Sequence, residues 1–102
     1  MTADEARAIA LSLPDVVERD HHGFPSFRTG TRGRILATLP TPEVLRVMLD
    51  EGSILEAVAE HEWCCEGRWG TQLSTVQVDL AGADPGVVAE LLAEGHARAR
   101  RN

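Results

Sequence analysis

Histidine and cysteine are the side chains of this sequence that could bind a metal ion or attack a substrate. His21 and His22 are adjacent, and Cys64 and Cys65 are adjacent shortly after His61. Imidazole and thiolate are zinc ligands, but the sequence has no CxxC pair, and neighbouring residues of a strand point to opposite faces. The cysteines also stand among glutamates, which disfavour a reactive thiolate. Because a serine elbow, a phosphate-binding loop and a dinucleotide fingerprint are also absent, we predict no metal, no cofactor and no catalytic residue.

Arginine supplies all of the fixed positive charge, because the sequence has ten arginines and no lysine. Arg28, Arg32 and Arg34 surround a glycine turn, and Arg98 opens an arginine-rich C-terminal segment. A guanidinium group binds phosphate oxygens with paired hydrogen bonds, so these residues are candidate contacts for an anionic ligand. The alternatives are a solvated hairpin surface and cations that stabilise a helix C-terminus. The net charge of −6 opposes non-specific attraction to a polyanion.

The net negative charge is concentrated in residues 50–66. This segment holds six carboxylates and no arginine, whereas acids and arginines balance on either side of it. We expect a solvated acidic face there, and such a face is suited to a basic protein partner.

The bulk composition is that of an ordinary globular protein. A length of 102 residues with an apolar fraction of 43% predicts a single domain, 1–102. No apolar run reaches the roughly 18 residues of a membrane span, and the acidic, helical start of the chain is unlike a signal peptide. Adjacent cysteines are too close for an unstrained disulfide, which favours reduced thiols. We therefore expect a cytoplasmic protein with no membrane contact.

The first half of the sequence predicts a helix followed by strands. A capping box formed by Thr2 and Glu5, with an apolar period of 3.6 residues, indicates a helix that ends before Pro14. Residue preferences, alternation and turn residues predict strands over 16–20, 24–29 and 34–39. The segment 44–49 is compatible with a helix or a strand, and a helix start at Ser53 makes it a separate strand. The arginines of the first hairpin then lie in a loop over 29–34.

The second half predicts two helices and one further strand. A second capping-box pattern predicts a helix over 53–61, and the segment 63–70 has no period, which predicts a loop. Alternating residues predict a strand over 76–80. An Asp-Pro start predicts a last helix over 85–101, where Gly95 on the apolar face indicates a close packing contact.

The order of these elements predicts an α+β fold. Hairpin-linked strands imply an antiparallel sheet, and the helices must pack on its apolar face, which makes a two-layer sandwich. The four aromatic residues are expected to anchor the core or the loops; they are Phe24, Phe27, Trp63 and Trp69.

Six short motifs suggest a family. They are LSLPDV, HHGFPSFR, RILATL, RWG, VQVDL and ADP. Together they resemble the MmcQ/YjbR family of small bacterial proteins, and the resemblance spans nearly the whole chain. It implies a CyaY-like two-layer sandwich and a DNA-binding role, which members are often given by analogy with double-wing modules. The most specific positions are His22, Phe24, Phe27, Arg28, Trp69 and Gly70.

Two functional hypotheses follow. The first, from the resemblance, is a DNA-binding module that uses the hairpin and C-terminal arginines. The second is a non-enzymatic domain that binds a metabolite, a small anion or a protein at a site near His22, Arg28 and Trp69. The combined candidate residues are His22, Arg28, Arg32, Arg34, Trp69 and Arg98. Several phosphate contacts make DNA binding steeply salt-dependent, whereas a pocket ligand is expected to be nearly salt-insensitive.

Overall fold

A six-stranded antiparallel sheet forms the centre of the structure. The computed structural model describes residues 1–30 and 32–101. In chain order its elements are α1 (Ala3–Ser12), β1 (Val16–His21), β2 (Phe24–Thr29), β3 (Ile35–Thr41), β4 (Val44–Met48), α2 (Glu51–Glu60), β5 (Cys64–Trp69), β6 (Gln72–Asp79), a 3₁₀ turn (Leu80–Gly82) and α3 (Pro85–Arg100). No helix of the described part is long and apolar enough to cross a membrane.

The strand order is β1-β2-β3-β4-β6-β5, and every neighbouring pair is antiparallel. Helix α3 lies against β2, β3 and β4, α2 lies against β5 and β6, and α1 packs on α3 and β1. This arrangement confirms the predicted α+β fold with an antiparallel sheet. The CyaY-like arrangement that the resemblance implies stays a prediction.

The contact between α3 and β4 is unusually close. A Cβ atom added at Gly95 would lie 2.9 Å from Val47 Cγ1 and 3.3 Å from the carbonyl oxygen of Leu36. Only glycine therefore allows α3 to approach the sheet at this depth, which explains the glycine predicted on the apolar face of this helix. The apolar face itself is buried as the period indicated, at Val88, Leu91, Leu92, Gly95 and Ala99.

The predicted loop over 63–70 is wrong, because Cys64–Trp69 is strand β5. This strand lies at the edge of the sheet, pairs only with β6 and has a register shift between Gly67 and Arg68. An edge strand with a bulge has one partner and an interrupted alternation, so its sequence lacks the period by which central strands are recognised. The predicted loop over 29–34 does connect two strands, and Thr31 within it lies outside the described residues.

The start of α2 also differs from the prediction. The helix begins at Glu51 with Asp50 as its N-cap residue, so Ser53 is already inside it. The Asp50 carboxylate makes no capping bond, because it accepts hydrogen bonds from Arg98 Nε and Arg101 Nη2, each at 2.9 Å. The bond from Arg98, followed by that from Arg101, lowers the pKa of Asp50. This ion pair fastens the end of α3 to the start of α2.

Replacement of Gly95 by alanine tests the close contact. We expect Gly95→Ala to lower the free energy of unfolding by about 1–3 kcal/mol, because the overpacking outweighs the gain in helix propensity. Gly52→Ala in α2 is the matched control, since a Cβ there meets nothing within 4 Å, and it should leave stability unchanged or raise it. Urea unfolding measures both variants, and a Gly95→Ala protein more stable than the wild type would contradict the packing.

The ion pair at Asp50 predicts a pH dependence of stability. Its folded pKa is lowered, so its stabilising contribution is present above the unfolded pKa of about 3.9 and is lost as the pH falls through the folded pKa. Asn is an equally good N-cap residue, so Asp50→Asn should be less stable than the wild type at neutral pH, with a gap that narrows in acid. The measurement is the unfolding free energy against pH, with Glu56→Gln as control. A gap that stays constant down to acid pH would contradict this role.

Candidate anion-binding groove

A groove of about 380 Å³ lies on the sheet face opposite α3. Strand side chains alternate between the two faces. Since Val47 packs against α3, its neighbours Arg46 and Met48 face the other way and line the groove. All six strands contribute to the lining. Its aromatic and cationic members are His21, His22, Phe24, Arg46, Arg68 and Trp69.

Two tight turns form opposite rims of this groove. The β1–β2 turn and the β5–β6 turn lie at opposite edges and opposite ends of the sheet, yet both line the groove. A sheet with the usual strong twist raises two diagonal corners on the same face. The twist therefore brings together side chains that are remote in the flat strand order.

The β1–β2 turn presents an aromatic cluster at the first rim. His22 and Gly23 have φ angles of 54° and 93°, as a two-residue type I′ turn requires. The ring of His21 packs edge-on against two other rings. Its centroid lies 4.5 Å from that of His22 and 5.4 Å from that of Phe24. The prediction that the two histidines point to opposite faces is wrong, because the strand ends at His21 and His22 belongs to the turn.

The β5–β6 turn presents Trp69 at the second rim. Gly70, with a φ of 63°, occupies the first position of a two-residue loop between the paired residues Trp69 and Gln72. Arg68 is braced there, because it donates to the Thr71 carbonyl at 2.9 Å and to Glu66 Oε1 at 2.7 Å. Trp69 is 84% exposed, so the prediction of an anchoring role is wrong for this aromatic, whereas Phe27 is fully buried.

Arg46 lies on the floor of the groove. Its Nε donates to Gln77 Oε1 at 2.8 Å, and the two residues are directly paired across β4 and β6. Gln77 Nε2 in turn donates to the Glu66 carbonyl at 3.4 Å. Because the partner is an amide, the bond orients the guanidinium group without cancelling its charge. Within residues 1–30 and 32–101, Arg46 forms no ion pair.

Arg28 lies beside the first rim. Its Nε donates to Ser26 Oγ at 3.3 Å, and its Nη2 lies 3.5 Å from His21 Nδ1. The side chain is half-buried and directed towards the histidine cluster. Arg28 forms no ion pair with the described residues either, so it adds a second uncompensated charge to this face.

The groove is a positive region on an acidic protein. The chain has 16 carboxylates and a net charge of −6, but no aspartate or glutamate is among the described lining residues. A recess lined by one sign of charge concentrates ions of the opposite sign. The chemistry of this lining therefore suits an anionic ligand that also has an apolar or aromatic part.

Three of the six predicted site residues meet at this groove. His22 and Trp69 line it, and Arg28 contacts His21 at its edge. The others lie elsewhere: Arg34 donates to the Arg101 carbonyl at 3.1 Å and Arg98 bonds to Asp50. Arg32 is exposed in the β2–β3 connection.

Sequence reasoning missed Arg46, Gln77 and Phe24 as site residues. Arg46 had a usable signal, because it is a charged residue with apolar neighbours on both sides in a strand, and such a residue must face away from the core. Gln77 had none, since its role depends on a pairing with a strand 31 residues away.

Cys64 is buried, and its surroundings do not favour a reactive thiolate. Burial, followed by the neighbouring Cys65 thiol, raises the pKa of Cys64 to about 11, so its thiolate is scarce at neutral pH. In the described ranges, no group of three or more histidine, cysteine, aspartate or glutamate side chains is placed to hold a metal ion.

Comparison with known proteins returned no family model, no curated protein and no solved structure that matches this chain. The likeness to the MmcQ/YjbR family therefore remains a prediction carried by the sequence motifs.

The β1–β2 turn predicts which residues position 22 accepts. Asn-Gly is a preferred pair in type I′ turns. The free energy of unfolding of His22→Asn should therefore lie within about 0.5 kcal/mol of the wild-type value. A β-branched residue with positive φ is strained, so His22→Val should lose about 1–2 kcal/mol. Thermal unfolding of the two variants measures the difference, and equal stability would contradict the turn assignment. His22→Asn also provides a folded variant that lacks the imidazole.

Proposed function

We propose that this protein is a non-enzymatic binding module whose groove takes an anionic ligand that carries an aromatic ring. The observation that supports this most strongly is Arg46, a cation held by an amide on the floor of a groove with no carboxylate in its described lining. The nearby Arg28 has no carboxylate partner in the described part of the chain. A ligand anion would supply the missing negative charge.

The guanidinium group of Arg46 suits an oxyanion. Its Nε is occupied by Gln77, and its two Nη groups make no hydrogen bond to any described residue. Two parallel N–H groups match the oxygens of a phosphate or a carboxylate, and such charge-assisted bonds are stronger than neutral ones. Gln77 thus acts as a positioning residue that fixes the direction of the donors.

The rims of the groove suit a planar group. Trp69 exposes its ring, and His21 with Phe24 presents aromatic edges and faces on the other side. Contact between two aromatic rings is stabilising beyond the contribution of the surface area that it buries. A volume of about 380 Å³ is within the range of small-ligand sites. A nucleotide has both required parts, a phosphate and a planar ring.

Binding without catalysis is the extent of the proposal. Nucleophilic catalysis requires a hydroxyl or thiol that is hydrogen-bonded to a base. Among the described residues of the lining, Ser74 donates to the Gly67 carbonyl at 3.5 Å, and no hydroxyl bonds to either groove histidine.

Duplex DNA, the ligand that the resemblance implies, is less well supported. Arg98 and Arg101 both donate to Asp50, and Arg34 donates to the Arg101 carbonyl, so these donors are used within the chain. These three arginines also lie near the C-terminal end of β2. The histidine turn is at the other end of this strand, about 17 Å away. A basic protein partner for the acidic segment 50–66 stays a prediction that rests on the negative charge of that segment.

Two substitutions on the groove floor test the proposed ligand class. Calorimetric titration with adenosine monophosphate should show that Arg46→Gln weakens binding about 10-fold or more, because a charge-assisted contact is lost. Gln77→Glu should have a similar effect, since it places a carboxylate against Arg46 and cancels its charge.

The control is Arg32→Gln, which removes the same charge outside the groove and should leave the affinity nearly unchanged. If Arg32→Gln and Arg46→Gln lowered the affinity equally, the ligand would be attracted by the net charge of the protein, and this result would contradict a defined site. Absence of binding by the wild-type protein at low salt would contradict the nucleotide as ligand.

A further inference from the structure

We infer that the groove is one part of a longer path for single-stranded nucleic acid across the open face of the sheet. This inference rests on the proposed function, and it names the ligand of the same site. It draws on the cations beyond the groove floor, which a ligand with a single phosphate leaves without a counter-charge.

A straight row of paired residues crosses the open face. Arg19 pairs with Ser26, Ser26 with Thr38, Thr38 with Arg46 and Arg46 with Gln77. Directly paired residues of an antiparallel sheet lie on the same face, so Arg19 and Arg46 lie on one face at a separation of three strand spacings. That separation is about 14 Å, the length of about four stacked nucleotides.

The residues between the two arginines are small and polar. Ser26 and Thr38 have small hydroxyl side chains and are buried. Arg28 leans over this floor, with its Nε on Ser26 Oγ. Arg19, Arg28 and Arg46 therefore stand along one line on this face, with exposed Arg19 at its far end. Arg68 lies beyond Arg46 towards Trp69, where its guanidinium group pairs with Glu66.

A chain of phosphates matches this line better than one phosphate does. None of Arg19, Arg28 and Arg46 forms an ion pair within the described part of the chain. Successive phosphates of one strand would contact successive arginines and release bound counterions. No carboxylate is among the described residues of the groove lining, and the one carboxylate bonded to a lining arginine is Glu66, which pairs with Arg68 at the second rim.

The aromatic residues favour a single strand over a duplex. Trp69 at one rim and Phe24 with His21 at the other offer ring faces on which unpaired bases stack. In a duplex the bases are stacked on each other and their faces are unavailable. Because every base has a ring face, little sequence preference is expected.

Fluorescence anisotropy of a labelled oligodeoxythymidine of about eight nucleotides tests the inference. We expect it to bind more tightly than thymidine monophosphate and more tightly than a duplex of equal length. Three phosphate contacts predict that the logarithm of the affinity falls with the logarithm of salt concentration with a slope of about −2. Arg19→Gln should lower the affinity for the oligonucleotide several-fold and leave the affinity for the mononucleotide unchanged. Arg32→Gln should change neither affinity.

The outcomes separate the inference from the proposed function. If the mononucleotide binds as tightly as the oligonucleotide and Arg19→Gln changes neither, the inference fails and the groove remains a small-ligand site. If the duplex binds more tightly and Arg32→Gln weakens it, the inference fails in favour of the arginine-rich hairpin. If neither the oligonucleotide nor the mononucleotide binds at low salt, both the inference and the proposed nucleotide ligand fail.

Discussion

The close contact between Gly95 of α3 and Val47 of β4 decides what each face of the sheet presents. A Cβ at position 95 would lie 2.9 Å from Val47 Cγ1, so the helix approaches the strand as closely as side chains allow. Because strand residues alternate, the approach that buries Val47 sends Arg46 to the opposite face. The hydrophobic core and the cationic groove are thus two results of the same register.

Charge is separated in a way that follows this division of faces. Carboxylates are concentrated on α2 and the segment after it, and Asp50 uses Arg98 and Arg101 to join α2 to α3. The arginines near the C-terminus therefore serve the fold. Arg28 and Arg46 on the open face have hydroxyl, imidazole or amide neighbours instead, which leaves their charge available to a ligand. Arg68 differs, because it is paired with Glu66.

Local signals in the sequence predicted most of the fold. The capping box of Thr2 and Glu5 is present with both of its hydrogen bonds, and the Asp-Pro start of α3 has the predicted cap. Strand β5 was missed because an edge strand with a bulge lacks a clean alternation. The insertion of β6 between β4 and β5 was beyond prediction, since it depends on pairings between distant segments.

The site was recognised only in part for the same reason. His22 and Trp69 stand in recognisable turns, whereas the bond between Arg46 and Gln77 exists only after β4 and β6 have paired.

The central claim is that the open face of the sheet binds an anionic aromatic ligand, and amide chemical-shift mapping by NMR tests it most directly. Titration with adenosine monophosphate should move the amide signals of Arg46 on β4 and of Gly67 and Thr75 on the β5–β6 hairpin, which lies next to β4 only in the fold. The signals of Arg34 and Arg98 should stay in place. Shifts confined to the arginines at the ends of β3 and α3, or no shifts at all, would contradict the account.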